Sequence, residues 1–170
     1  MRSTGQRSDR LRPGGQSLHA TLESDSRRQN LNPVKLVELL VRDLEPTAVV
    51  ADIGAGTGLF SSVFARALPD GTVHALEVRA DALRTLHERA SSERLPNLLP
   101  LRIDEGCVPA LPGGTAQLAG RAHLVFVCDV LDFLPPERRE GFLLRIEPRA
   151  QAPTCPETLV AALSPDPEAG

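Results

Sequence analysis

The chain contains no tryptophan and no tyrosine, and aromatic residues fill only 3% of its 170 positions. Such a sequence is poorly equipped for a ligand that needs several rings stacked on it. Its three cysteines, Cys107, Cys128 and Cys155, stand too far apart for a metal knuckle or a C-x-x-C redox pair. No metal is therefore expected. An odd cysteine count without a framework suits a reducing compartment, and the expected location is the cytoplasm. No apolar run is long enough to span a bilayer. The first residues are basic but lack the apolar segment of a secretory signal. A net charge of −3 leaves no electrostatic case for nucleic acid. Neither a membrane nor a nucleic acid is an expected partner.

What is present suits one domain with a sizeable core, since hydrophobic residues make up 41% of the chain and charged residues 24%. Residues 1–30 are rich in Arg, Ser, Gly and Gln and read as a disordered extension, with a short helical turn near Leu18–Leu22. A folded domain is expected over residues 31–163, followed by a frayed tail over 164–170. Asn32-Pro33 is a helix start, with Asn as N-cap and Pro in the first turn. Val34, Val37, Leu40, Val41 and Leu44 recur at helical spacing to make one apolar face, and Glu45-Pro46 closes that helix.

From there strands alternate with helices. Strands are expected at Ala48–Ile53, Val73–Leu76, Leu99–Ile103 and Leu124–Cys128. Helices are expected at Leu59–Leu68, Asp81–Ala90 and Pro136–Ile146, and a long loop runs from the third strand through Gly120. Thr158–Leu163 reads as a fifth strand. This alternation predicts an α/β fold: a Rossmann-like three-layer α/β/α sandwich around a mostly parallel sheet of four to five strands.

One segment carries more chemistry than the rest. In Val49-Val50-Ala51-Asp52-Ile53-Gly54-Ala55-Gly56-Thr57-Gly58-Leu59-Phe60, apolar strand formers end at an acid and three glycines follow at alternate positions. A turn of this kind offers main-chain N–H groups and no side chains to obstruct a ligand. The dinucleotide fingerprint Gly-x-Gly-x-x-Gly is not met: its third glycine falls at Leu59 or Ser61, depending on the starting glycine. A nicotinamide-dependent oxidoreductase is disfavoured on that count.

In doubly wound sheets, ligands bind at the carboxyl ends of the strands. The second strand delivers Glu77 to that edge, 19 residues after Gly58. An acid there is placed to accept hydrogen bonds from ribose hydroxyls. The third strand delivers Asp104 and Glu105, suited either to adenine recognition or to plain loop solvation. The fourth delivers Cys128, Asp129 and Asp132. Cys128 reads as a small core residue rather than a nucleophile. The two aspartates either face the site or cap the next helix. His19, His74, His87 and His123 read as surface or strand-end histidines.

The pattern Asp-x-Gly-x-Gly-x-Gly at Asp52–Gly58 resembles the first motif of class I S-adenosylmethionine (SAM)-dependent methyltransferases. The resemblance extends to Asn32-Pro33, to Gly71–Glu77, to Pro109-Ala110-Leu111-Pro112 and to Val127–Leu131, and it covers about residues 30–147. It implies SAM as cofactor. Gly54, Ala55, Gly56 and Gly58 would pass beneath the methionine and ribose. Asp52 would support the turn or reach the amino group through water. Glu77 would hold the ribose hydroxyls and Val78 would lie against adenine. Asp104 or Glu105 would meet the adenine edge, and Cys128 stands at the same rim.

The sequence also departs from that family. Relatives often carry Tyr after the third glycine, where this chain has Leu59, and Tyr-His-His after the fourth strand, where it has Leu131-Asp132-Phe133. The family fold has seven strands, whereas this chain is expected to form an incomplete version. Such a sheet exposes an apolar edge near Leu124–Val127 or Thr158–Leu163, which invites a covering partner chain. The expected function is methyl transfer from SAM to a small-molecule acceptor. The alternative is a truncated or degenerate SAM-binding domain without independent catalysis.

Overall fold

The computed structural model describes residues 24–103 and 122–130, together with residues 20, 22, 134, 136, 137 and 139 and the backbone of 159–163. The strands are β1 (Val49–Ile53), β2 (Thr72–Glu77), β3 (Leu98–Arg102), β4 (Leu124–Cys128) and β5 (Leu159–Leu163). They form one sheet in the order β3-β2-β1-β4-β5. All four pairings are parallel, with Ile53 opposite Leu76 on one side and opposite Val127 on the other. The chain winds outward from β1 to β3, then returns to β4 on the opposite flank of β1. The order therefore reverses between β1 and β4, and a crevice opens above their carboxyl ends at such a reversal.

Burial follows from position in the sheet. β1 and β4 are central and hydrophobic on both faces, as parallel strands covered on two sides must be. Leu124–Val127 is thus paired on both sides and buried, so of the two alternative apolar edges expected it is excluded. β5 is the outer strand on that flank among the described strands, and β3 on the other.

Four helices are described: α1 (Asp25–Leu31), α2 (Pro33–Val41), α3 (Leu59–Ala67) and α4 (Ala80–Ser92). One core cluster joins Val37 of α2, Phe60, Phe64 and Ala65 of α3 and Leu86 of α4 to Val50, Val73, Ala75, Leu98, Leu124 and Phe126 of the sheet. Phe126 packs its ring against Phe60 and Phe64, with centroids 4.8 and 5.2 Å away. Three of the five phenylalanines are thereby committed to the core. A second cluster on the other face gathers Ala51, Ile53, Leu76, Val125 and Val127.

Three helix expectations change. Residues 25–31 belong to α1 rather than to a disordered extension, because Ser24 caps the first turn through its hydroxyl and Asn32 closes the last in a left-handed conformation. Asn32 then serves as N-cap of α2, accepting the Lys35 N–H. The apolar face of α2 is rotated toward Pro33 and Leu36, leaving Val34 55% exposed. Finally, α2 stops at Val41, and Leu44 returns to the core through a turn in which its N–H bonds the Val41 carbonyl. The expected loop after β3 and most of the expected helix over 136–146 lie outside the described residues.

Candidate functional site

β1 leads directly into the glycine turn. Gly54, Gly56 and Gly58 have φ of 76°, 58° and 90°, a left-handed region that side chains rarely enter. Three positive φ values in five residues reverse the chain sharply enough to start α3 at Leu59. A Cβ on Gly54 would stand 2.3 Å from Val130, and one on Gly58 would stand 2.3 Å from Leu86. Glycine is thus required here by packing as well as by backbone conformation.

The turn's N–H groups are less free than the sequence suggests. Gly54 and Ala55 both donate to the Leu76 carbonyl, at 2.8 and 3.0 Å, and Gly58 donates to Ala55. Gly56 donates to Glu77 Oε2 at 2.7 Å. The end of β2 therefore holds the turn in shape before any ligand arrives. Glu77 is 6% exposed, and its other oxygen, Oε1, accepts from the N–H groups of Val78 and Arg79, both at 2.9 Å. Each carboxylate oxygen has about two acceptor positions. Oε1 is consequently full, while Oε2 retains room for one more donor.

Asp52 is 3% exposed and points under the turn, where it accepts from the Ser61 hydroxyl on α3. Burial pushes its carboxyl up to about 7, against the lowering effect of the Ser61 bond; nearby Glu77 adds to the rise and Arg27 opposes it. Thr57 is 1% exposed, and its hydroxyl has no partner among the described residues.

At the end of β4, Cys128 sits in the first core cluster. Burial, helped by neighbouring Asp129, raises its thiol to about 12, as befits a small residue of the core. Asp129 adopts a left-handed φ of 58°, a region that Asp enters more readily than most residues with side chains. Its carboxylate is joined to Arg27 of α1 by a 2.8 Å ion pair. Val78 and Val130 each pack against the second cluster. Asp104, Glu105 and Asp132 lie outside the described residues. His123 works at the opposite edge, where its Nδ1 accepts the Val49 N–H at 2.9 Å and fastens β4 to β1. An open groove of about 580 Å³ between α4 and β3 is lined by His87, Arg94, Leu95 and Pro96, with no carboxylate among its described lining residues.

Sequence reasoning thus placed Asp52, the glycines and Glu77 together, and the structure does so too. It missed Leu22 and Arg27, which reach the site from the segment read as disordered. It missed Ser61 and Val130 as well. Only the serine carried a local signal, as one of two small polar residues in a mostly apolar first turn.

Residues 35–104, spanning the turn and Glu77, match the family model of the methyltransferase small domain. The structure is similar to that of a SAM-dependent methyltransferase from Aquifex aeolicus, at 22% identity and a TM-score of 0.58, over 75% of this chain and 64% of that one. It is also similar to the N-terminal domain of EvdMO1 with SAH bound, at 19% identity and a TM-score of 0.56, over 76% of this chain and 48% of that one. The magnesium protoporphyrin IX methyltransferase of Synechocystis PCC 6803, with bound SAH, matches at 21% identity and a TM-score of 0.54, over 69% of this chain and 49% of that one. The fold is that of the class I SAM-dependent methyltransferases. The chain spans less than two thirds of the length of these structures. A comparison with curated proteins finds no match. Within the methyltransferase fold, the glycine turn and Glu77 occupy the switch point at which ligands bind in sheets of this order. Among the described residues, no helix is long and apolar enough to cross a membrane, and no group of residues is arranged to hold a metal ion.

Proposed function

We propose that this chain binds SAM on the Gly54–Gly58 turn and transfers its methyl group to a small-molecule acceptor in the cytoplasm. The observation that carries this reading is the 2.7 Å bond between Gly56 N and Glu77 Oε2. It places an acid with one unfilled acceptor position directly beside the side-chain-free Gly56, which suits a ribose hydroxyl. Val78 follows at the rim and offers an apolar surface to a base. Asp104 or Glu105 is proposed to meet the adenine edge, as the family resemblance implies.

When bound, SAM supplies a methyl group already activated by its positively charged sulfur. The work left to the protein is to orient donor and acceptor, and a protein base is optional. Glu77 fixes the ribose. The turn sets the depth at which the donor lies. Buried Asp52, through Ser61, keeps the start of α3 from shifting under load.

Calorimetric titration with SAM, with its product S-adenosylhomocysteine (SAH) and with NAD tests the proposal. SAM or SAH should bind. Tight NAD binding without SAH binding would overturn it. A second reading is a donor-binding domain that acts only with a partner chain, and the outer position of apolar β5 favours it. Incubation with methyl-labelled SAM and a mixed small-molecule extract separates the two: label in small molecules supports independent catalysis, and SAH binding without transfer supports the partner-dependent domain.

A further inference from the structure

The chain leaves α4 through a paired hydrogen-bond pattern. Leu95 N donates to the Ala90 carbonyl at 2.9 Å, and Arg94 N donates to the Ser91 carbonyl at 3.2 Å. This pattern needs a left-handed residue between the two donors' turns, and helices ordinarily place glycine there. Here the residue is Arg94, at a φ of 53°. A side chain in that region is held at a cost, so its presence calls for a reason beyond the turn.

A cation after the last turn complements the helix dipole. The last carbonyls of α4, however, are already taken: besides the two bonds above, Glu93 N and Ser92 Oγ donate to the Arg89 carbonyl at 2.9 and 3.2 Å. The neighbouring carboxylate is taken too, since Glu93 pairs with Arg66 at 2.5 Å and with Arg89 at 3.7 Å. Arg94 has no hydrogen-bonding or ion-pair partner for its side chain among the described residues. It lines the 580 Å³ groove between α4 and β3, a volume within the range of small-molecule sites.

Ala90, Leu95, Leu98 and Pro100 give that groove apolar walls. Their placement is fixed. Leu98 N bonds the Leu95 carbonyl at 3.1 Å, and the Asn97 amide ties the loop to the Ala65 and Leu68 carbonyls, both at 2.9 Å. His87 lines the groove from α4 with Nδ1 turned to the Leu83 carbonyl at 2.9 Å, which leaves Nε2 for another partner. The described lining thus holds two basic side chains and no acid.

We propose that this groove binds a small organic acid carried on a hydrocarbon chain, with Arg94 taking the carboxylate and the apolar walls covering the chain. The groove shares no lining residue with the glycine turn, so the site is separate from the donor site and independent of the SAM-binding reading. The negative end of α4 lies beside it and by itself disfavours an anion. Preference for the acid therefore comes from Arg94.

The test is a chemical-shift titration of the full chain with octanoate and, separately, with octan-1-ol, in wild type and Arg94→Gly. In wild type the amide signals of Ser91, Leu95 and Leu98 should move, and octanoate should bind roughly three- to tenfold more tightly than the alcohol. Added salt should narrow that gap. In Arg94→Gly the preference should vanish or reverse, while the melting temperature stays at or above that of wild type, because glycine suits the position. Unmoved amide signals, equal binding of alcohol and acid by wild type, or a preference that survives in Arg94→Gly overturns the proposal. Self-association that shields the same amides from octanoate overturns it as well, by making the groove a contact between copies. A melting temperature lowered by the glycine also overturns it, since Arg94 would then be holding the fold.

Discussion

Glu77 and Gly56 are joined by a 2.7 Å hydrogen bond between a carboxylate oxygen and a main-chain N–H 21 residues earlier in the chain. With Val78 and Arg79 donating to the second oxygen, one side chain closes the turn, ends β2 and starts the path into α4. Folding and ligand binding therefore draw on the same carboxylate. Glu77→Gln keeps the shape but presents an NH₂ group to at least one main-chain donor. It should lower stability by about 1–3 kcal/mol and weaken SAH binding by a similar amount. Thermal unfolding without ligand and calorimetry with SAH read the two effects separately. Weaker binding at an unchanged melting temperature would show that Glu77 does not hold the turn.

Asp52 gives the domain a pH dependence of unusual sign. Its folded-state pKa, about 7, lies above the ordinary 3.8, and burial is the main cause. Between these values the folded protein keeps a proton that the unfolded chain releases. Stability should accordingly fall as pH rises from about 4 to about 7, by up to a few kcal/mol from this group. Asp52→Asn, which cannot ionise, should lack this component. Urea unfolding at pH 5 and pH 7.5 in both proteins provides the check. Parallel curves would mean that Asp52 titrates normally.

Much of this arrangement was legible in the sequence because its causes are local. An acid after apolar strand formers, followed by alternating glycines, forces the β1–α3 turn whatever lies around it. Glu77 follows because β2 ends where its apolar run ends. Strand existence was equally plain, since parallel strands buried on both faces are continuously apolar. What could not be read depended on distant partners. Arg27 is one arginine in an Arg/Ser-rich stretch, and nothing nearby points to Asp129, which lies 102 residues away. The rotation of α2 that exposes Val34 is decided by how α2 seats on α3. The free N–H groups expected of the turn were lost to Leu76 and Glu77, whose carbonyl and carboxylate are aligned only once β1 and β2 pair.

Thr57 buries a hydroxyl for which the described residues provide no partner. A buried polar group without a hydrogen bond costs about 1–3 kcal/mol. Valine has nearly the same shape and no such group. Thr57→Val should therefore leave stability unchanged or raise it by about 1 kcal/mol, as measured from urea midpoints. Loss of more than that would reveal a partner for the hydroxyl in solution. If the hydroxyl serves the ligand instead, the same variant will keep its stability and bind SAH more weakly.

Gly54 and Val130 meet across the crevice between β1 and β4. A methyl group on Gly54 would stand 2.3 Å from Val130 Cγ2 and would also have to accept a φ of 76°. Gly54→Ala should cost about 2–4 kcal/mol, combining a forced left-handed backbone with overpacking. Val130→Ala removes the colliding methyl but leaves the φ penalty in place. By itself it should cost about 1 kcal/mol, because Val130 is only partly buried. In the double variant the overpacking disappears, so the two costs should fall short of adding by about 1–2 kcal/mol. Chemical unfolding of the four proteins gives this coupling directly. Strict additivity would place Val130 away from the turn and would remove the packing reason for glycine at position 54, leaving its backbone conformation as the sole cause.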